Sequence, residues 1–408
     1  MIEDYFYRFR NVLFLIIISV IFGLIRNVIL ARTLYQHDLG IYSLAMTAIS
    51  IIYPMLLFGQ QKGFIRFFIK HNVEDFNWIK PLKYITIIGL CTSIIIISII
   101  TWFYQMNHVF GFFCLLSILS SILLELLSNI IRSKGKFELA ILFQRSIRVI
   151  ISLLAVIFYL LNILTLDLIF IVFGTVHILY VLLAIYFVTK TFKAGNKTIP
   201  KTSVKEGLII FGLDISTLLI AFGLNFLIAK MISLEALGGY FAINIIVRIY
   251  EIFSQSTEYI VMPKSGELKN KSIRLISYKL LFIGIILSIL FLLLGKAFLS
   301  TIYNTKYDEY LFLVPYACII GFIKLIDVLP TSIINGKLHK KILKDYFVIN
   351  IILAISLIII SLKLIGIYGI IGAFYGSIIV YIIKAICGYL ILGKYYGFSS
   401  SYFKTIAS

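Results

Sequence analysis

Asn244, Arg248, Glu251, Gln255 and Glu258 recur at steps of four, three, four and three within an otherwise apolar run. That spacing places all five on one face of an α-helix. The run extends from a turn expected at Gly238 and Gly239 to Pro263, and is long enough to cross a bilayer. A charge near the bilayer centre costs about 2.5–3.5 kcal/mol on the insertion scale, so the stripe should line a bundle interior or a water-filled cavity. Its chemistry is ion recognition. A guanidinium can fork onto two phosphate oxygens and stays charged when partly desolvated. A carboxyl in the same place takes or releases a proton according to whether burial or a nearby cation dominates. Arg248 and Glu251 are also spaced to pair at i, i+3.

Few other ionisable groups interrupt the apolar runs. Arg26 and Asn27 lie in the first, Glu125 in the fourth, and Asp214, Thr217 and Asn225 in the seventh. Lys324, Asp327, Thr331 and Asn335 form a second helical stripe in the tenth, and Lys384 lies in the twelfth. The cations Arg26, Arg248, Lys324 and Lys384 are the candidate ligands for a phosphorylated headgroup. Asp214, Glu251 and Asp327 are candidate ion-coupling or structural acids; Asn244, Gln255 and Asn225 are candidate polar lining. The competing interpretation makes some of these structural pairs, such as Lys324 with Asp327, or side chains that snorkel to water, such as Glu125, Glu258 and Lys384.

The elements that must position these groups follow from composition. The 408 residues are 61% hydrophobic and 13% charged, against roughly 25% charged residues in a soluble domain. This is an all-α, polytopic membrane protein with no polar block long enough for a soluble domain. About twelve apolar runs of spanning length centre near Ser19, Ile49, Thr92, Leu119, Leu154, Thr175, Leu218, Ile249, Gly284, Phe322, Ser356 and Val380. The basic start followed by an apolar run is read as the first membrane helix rather than a signal peptide, because the run carries Arg26 and lacks a small-residue cleavage site.

The net charge of +19 is distributed as a topology signal rather than a nucleic-acid surface. Loops on the N-terminal side hold most of the 37 lysines and arginines, whereas the opposite loops carry Arg32, Lys230, Lys296, Lys306 and Lys363. Both termini are therefore expected in the cytoplasm. The chain also repeats itself. Ala31-Arg32 precedes Leu39-Gly40-Ile41-Tyr42 as Ala229-Lys230 precedes Leu237-Gly238-Gly239-Tyr240. Ile130-Ile131 with Gly135-Lys136 is echoed by Ile333-Ile334 with Gly336-Lys337. The expected organisation is an N-terminal six-helix lobe over 1–189, a linker over 190–206 and a C-terminal six-helix lobe over 207–408. An even number of helices per half makes the repeats parallel.

Enzyme signatures are lacking. The sequence contains no GxxxxGK[ST], HExxH or GxSxG pattern, and the five histidines are scattered. Cys91, Cys114, Cys318 and Cys387 lie singly in apolar runs, as free core residues do. No enzyme activity, metal or cofactor is expected.

Several stretches resemble the polysaccharide transport, or O-antigen flippase (Wzx-like), branch of the multidrug/oligosaccharidyl-lipid/polysaccharide (MOP) exporter superfamily. They are Arg26-Asn27-Val28-Ile29-Leu30-Ala31-Arg32-Thr33-Leu34, Leu39-Gly40-Ile41-Tyr42-Ser43, Gly63-Phe64-Ile65-Arg66-Phe67 and Ile131-Arg132-Ser133-Lys134-Gly135-Lys136-Phe137. The resemblance implies a V-shaped, MATE-like pair of six-helix bundles around a cationic cavity that opens alternately to each side. Its substrate would be an undecaprenyl-pyrophosphate-linked oligosaccharide, moved to the outer leaflet of the bacterial cytoplasmic membrane for O-antigen, lipopolysaccharide, capsule or exopolysaccharide biosynthesis. A polysaccharide polymerase and a chain-length regulator are the implied partners, besides the bilayer itself. By that likeness Arg26, Asp214, Arg248 and Glu251 face the cavity, and Tyr53, Tyr240 and Tyr250 are available to stack on sugars. Rival expectations are a cation-coupled small-molecule exporter of the same superfamily, a peptidoglycan-precursor flippase, a membrane polysaccharide polymerase or ligase, and a non-transporting scaffold.

Overall fold

Hydrocarbon offers the backbone no water to bond, so spanning segments must satisfy their amides internally, and an all-helical chain is the expected result. The computed structural model of the chain describes residues 2–60, 73–134, 136–192, 195–197, 201–265, 268, 270–337 and 340–396. Among them are thirteen α-helices. These are α1 (Ile2–Thr33), α2 (Gln36–Leu56), α3 (Ile79–Phe103), α4 (His108–Ser133), α5 (Phe137–Leu160), α6 (Leu166–Thr191) and α7 (Lys201–Met231). They continue with α8 (Leu234–Ile243), α9 (Ile245–Lys264), α10 (Asn270–Tyr303), α11 (Val314–Lys337), α12 (Lys340–Tyr368) and α13 (Ile370–Tyr396). Eleven helices are long and apolar enough to cross a membrane, and the bent pair α8 and α9 makes a twelfth span. Each of the twelve centres expected from the sequence falls in one of these spans. Side chains at the starts of α4, α6 and α8 cap them: Asn107 accepts from the Phe110 amide, Thr165 from Leu168 and Ser233 from Ala236.

The expected turn at Gly238 and Gly239 is not there. Both glycines lie inside α8, and the axis instead bends by 48° at Asn244. Asn244 has φ −64° and ψ −5°, well short of helical ψ, which interrupts the regular ladder. The Tyr303 hydroxyl donates to the Ala242 carbonyl beside the break at 3.0 Å, supplying a partner where the ladder is disturbed.

The chain forms two compact units, Met1–Leu218 and Leu219–Ser408, with the division inside α7. In the N-terminal unit, α4 packs against α2, α3, α5 and α6, and α1 lies along α5. In the C-terminal unit, α11 packs against α9, α10, α12 and α13. The helix at the centre of each unit is thus its fourth span. The sequence repeat has a matching feature: α1 ends at Thr33 and α2 starts at Gln36, while α7 ends at Met231 and α8 starts at Leu234. Both breaks occur at the same place in the repeat. The halves then diverge, because α2 runs unbroken to Leu56 where the α8–α9 span bends.

Part of the segment expected as a linker is pinned to the N-terminal unit. The Gly195 amide donates to the Phe76 carbonyl at 3.0 Å, the Asn77 amide to Lys197 at 2.8 Å, and the Lys197 amide to Asp75 at 3.1 Å. These bonds make a short parallel bridge between 195–197 and the α2–α3 connection. Lys134 beyond α4 adds an ion pair to Glu74 at 3.1 Å. Glycine is required at 195 by close approach, since a Cβ there would collide with the Asp75 carbonyl group. Gly195→Val is therefore expected to open the bridge. Amide hydrogen exchange should accelerate at Asn77 and Lys197 while the buried amides of α4 keep their protection.

Candidate functional site

Each unit buries its own polar cluster. In the N-terminal unit, Arg26 and Asn27 of α1 are 8% and 4% exposed. An Arg26 Nη2 donates weakly to Asn27 Oδ1 at 3.4 Å. The buried Arg26 Nε and Asn27 Nδ2 have no hydrogen-bond partner among the described residues. His177 of α6 lies within electrostatic reach of Arg26, and its Nδ1 is hydrogen-bonded to the Phe173 carbonyl at 2.7 Å. On α4, Glu125 accepts from Gln144 of α5, with Arg145 close enough to act on its charge. Asp214 of α7 is half-buried, and it shares the electrostatic surroundings of Tyr53 with Glu125, Arg145 and Arg148.

In the C-terminal unit the charged side chains interlock α9, α11 and α13. The arrangement starts from a close helix contact. A Cβ on Gly388 of α13 would lie 3.1 Å from the Pro330 ring of α11, so the two helices approach closely there. One turn earlier on each, Lys384 meets Asp327: Nζ donates to Oδ2 at 2.8 Å, with both side chains only 7% exposed. Another turn earlier, Lys324 lies 5.2 Å from the centre of the Tyr381 ring. Lys324 also donates to Glu251 Oε1 of α9 at 3.0 Å. The hydroxyl of Thr331 bonds Asp327 Oδ2 at 3.3 Å and the Tyr346 hydroxyl of α12 at 2.8 Å, extending the network to a fourth helix.

The structure therefore brings Lys324 to Glu251 and Lys384 to Asp327. It corrects the expectation that Lys324 pairs with Asp327 on its own helix, and Lys384 is held in the pair rather than snorkelling to water. Partners on neighbouring helices let each charge be neutralised across a helix interface, deeply buried for Lys384–Asp327 and less so for Lys324–Glu251. Arg248 lies over the Phe241 ring at 4.8 Å, within electrostatic reach of Glu251. The rest of the opening stripe disperses: Asn244 is at the bend, whereas Gln255 and Glu258 are exposed. Asn225 is half-buried on α7. Tyr250 is fully buried and bonded to Ser288 at 2.9 Å, so it packs within its unit and presents no open face to a sugar. Tyr346, Asn350 and Tyr381 escaped the sequence analysis. Tyr346 and Asn350 stand one turn apart on α12, a polar pair at helical spacing in an apolar run.

Comparison with solved structures decides the fold. The MATE multidrug transporter DinF-BH aligns at a TM-score of 0.65 and 15% identity, covering 95% of this chain and 94% of that one. An inward-facing MATE family transporter of the MOP superfamily aligns at 0.68 and 12% identity, covering 91% and 93%. The lipid II flippase MurJ, in an inward closed conformation, aligns at 0.64 and 14% identity, covering 93% and 86%. The fold is that of the MOP transporters. The chain matches no protein-family description and no curated protein sequence.

The two ion pairs differ in depth, since the side chains of Lys324 and Glu251 are 20% and 37% exposed. Breaking a buried pair by removing one partner costs about 3–5 kcal/mol, whereas removing both charges together costs much less. Double-mutant cycles with Lys→Met and Asp→Asn or Glu→Gln, read by thermal unfolding in detergent, should give the larger coupling energy for Lys384–Asp327. Equal coupling in both pairs would remove burial as the governing factor.

Proposed function

We propose that this chain is a flippase that moves a lipid-linked oligosaccharide, carried on an undecaprenyl-pyrophosphate-type anchor, from the cytoplasmic to the outer leaflet by alternating access. The single observation that carries the substrate class is the donor chemistry of Arg26 and Asn27. A buried guanidinium with an unpartnered Nε, beside an unpartnered amide Nδ2, calls for an oxygen-rich anionic partner. A pyrophosphate supplies that partner, and sugar hydroxyls suit the amides around it.

Arg248, the other intramembrane arginine among the candidates, takes the corresponding role in the C-terminal unit. Stacking on Phe241 orients its guanidinium, whose planar fork of donors matches phosphate oxygens. The lipid tail stays in the bilayer while the headgroup passes along these polar side chains. Lys324 and Lys384 serve this reading indirectly, since their carboxylate partners hold them in place. Within it, the chain acts as a transporter in a bacterial cytoplasmic membrane with both termini inside. It is organised as two six-helix lobes joined over 190–206, and it works beside the polymerase and chain-length regulator of a surface polysaccharide pathway.

The multidrug exporters of the same fold provide the competing substrate class, lipophilic cations. Glu251 and Asp327 are already bonded to lysines, which leaves them poorly placed to receive such a cation. Proteoliposomes loaded on one leaflet with a polyprenyl-pyrophosphate oligosaccharide separate the two. The unaltered chain should expose the sugar to an enzyme on the other side, and Arg26→Gln and Arg248→Gln should each reduce the rate at least tenfold, the loss of about 1.4 kcal/mol of headgroup stabilisation. Export of a lipophilic cation with no movement of the host's own lipid-linked sugar would establish the competing class.

A further inference from the structure

We infer that the Asp327 cluster of the C-terminal unit is a monovalent-cation site whose cation is the chain's own Lys384 ammonium, so that this unit neither takes up nor releases free Na+ at Asp327. The cluster has the composition of a hard-cation site: a carboxylate, the Thr331 hydroxyl and the Tyr346 hydroxyl, drawn from two helices and linked by hydrogen bonds. Into it a third helix delivers one positive charge, at 2.8 Å from Asp327 Oδ2 and with 7% of either side chain exposed.

The ammonium is held there by the backbone. The Gly388–Pro330 contact fixes α13 against α11 one turn away. Tyr381, one turn before Lys384, donates to the Ile220 carbonyl of α7 at 3.4 Å and faces Lys324. The Lys384 backbone is therefore held beside α11, and its side chain is buried there against Asp327. Its charge already balances the carboxylate, and a free cation would place a second positive charge beside it in a medium of low dielectric constant. The remaining open acceptor is Asp327 Oδ1, which has no hydrogen-bond partner among the described residues. A competing ion would have to bind at that oxygen. The nearby acid Glu251 is engaged by Lys324, so both carboxylates of this network carry tethered counter-ions. The inference concerns ion binding and stands whichever substrate the chain moves.

The test is Na+ binding by the purified full chain in lipid nanodiscs, measured with radioactive Na+ and by thermal midpoint in NaCl against choline chloride. The unaltered chain and the charge-balanced variant Lys384→Met/Asp327→Asn should bind the same amount of Na+. Lys384→Ala should acquire a rise in midpoint specific to Na+, and Lys384→Ala/Asp327→Asn should lose it. Na+ bound by the unaltered chain but lost in the charge-balanced variant overturns the inference, because Asp327 would then exchange its lysine for a free ion. A folded Lys384→Ala that gains no Na+ response also overturns it, since the cluster would not be a cation site. If Lys384→Ala does not fold, Lys384→Gln takes its place in the same measurements, and a folded Lys384→Gln with no Na+ response overturns the inference equally.

Discussion

A charge inside hydrocarbon must find its opposite before it finds anything else, and in the C-terminal unit this requirement determines which helices touch. Helix α11 carries a cation and an acid one turn apart, and each reaches a different neighbour: Lys324 to α9 and Asp327 to α13. Lipid exerts no hydrophobic force between helices, so packing contacts and polar bonds must specify the arrangement. Here the small residue and the ion pair act at the same place. Gly388 lets α13 approach Pro330, and that approach puts Lys384 within reach of Asp327. A helix rotated by a quarter turn would lose both.

The N-terminal unit answers the same constraint differently. Its central helix α4 holds Glu125 through the neutral side chain of Gln144, and Arg26 is buried on α1 with donors to spare. Thus two halves with a common architecture hold opposite electrostatic positions. In one, lysines and carboxylates inside the spans close into pairs; in the other, the buried donors Arg26 Nε and Asn27 Nδ2 have no acceptor among the described residues. The repeat keeps the order of helices and the break between the first and second spans of each half, while the polar side chains diverge.

What was legible in the sequence was whatever lipid dictates locally. Apolar runs of spanning length marked all twelve spans, because a segment that crosses hydrocarbon has one backbone solution. The repeat was legible because both halves keep the Leu-Gly motif after their first break. Burial of Arg26 and Asp327 was also legible, since polar residues in such runs have few other places to go. Pairing was not, as the spacing of Lys324 and Asp327 fits a bond on one helix as well as bonds to two others. Which occurs depends on interhelical distance, fixed here where Gly388, far along the chain, meets Pro330. The bend at Asn244 was missed for a related reason. Two consecutive glycines signal a turn in water, but inside a packed span they admit a neighbour, and the Tyr310 ring lies against Gly239.

The bridge between Gly195–Lys197 and the α2–α3 connection bears on how the chain is built. Its first side is synthesised after two spans and its second only after six, so the bridge can close only when the last helix of the first half has been made. It joins the two ends of the intervening helices through backbone bonds that need no side chain from the second half. The bonds that seal the first bundle are thus all available while the ribosome is still making the second.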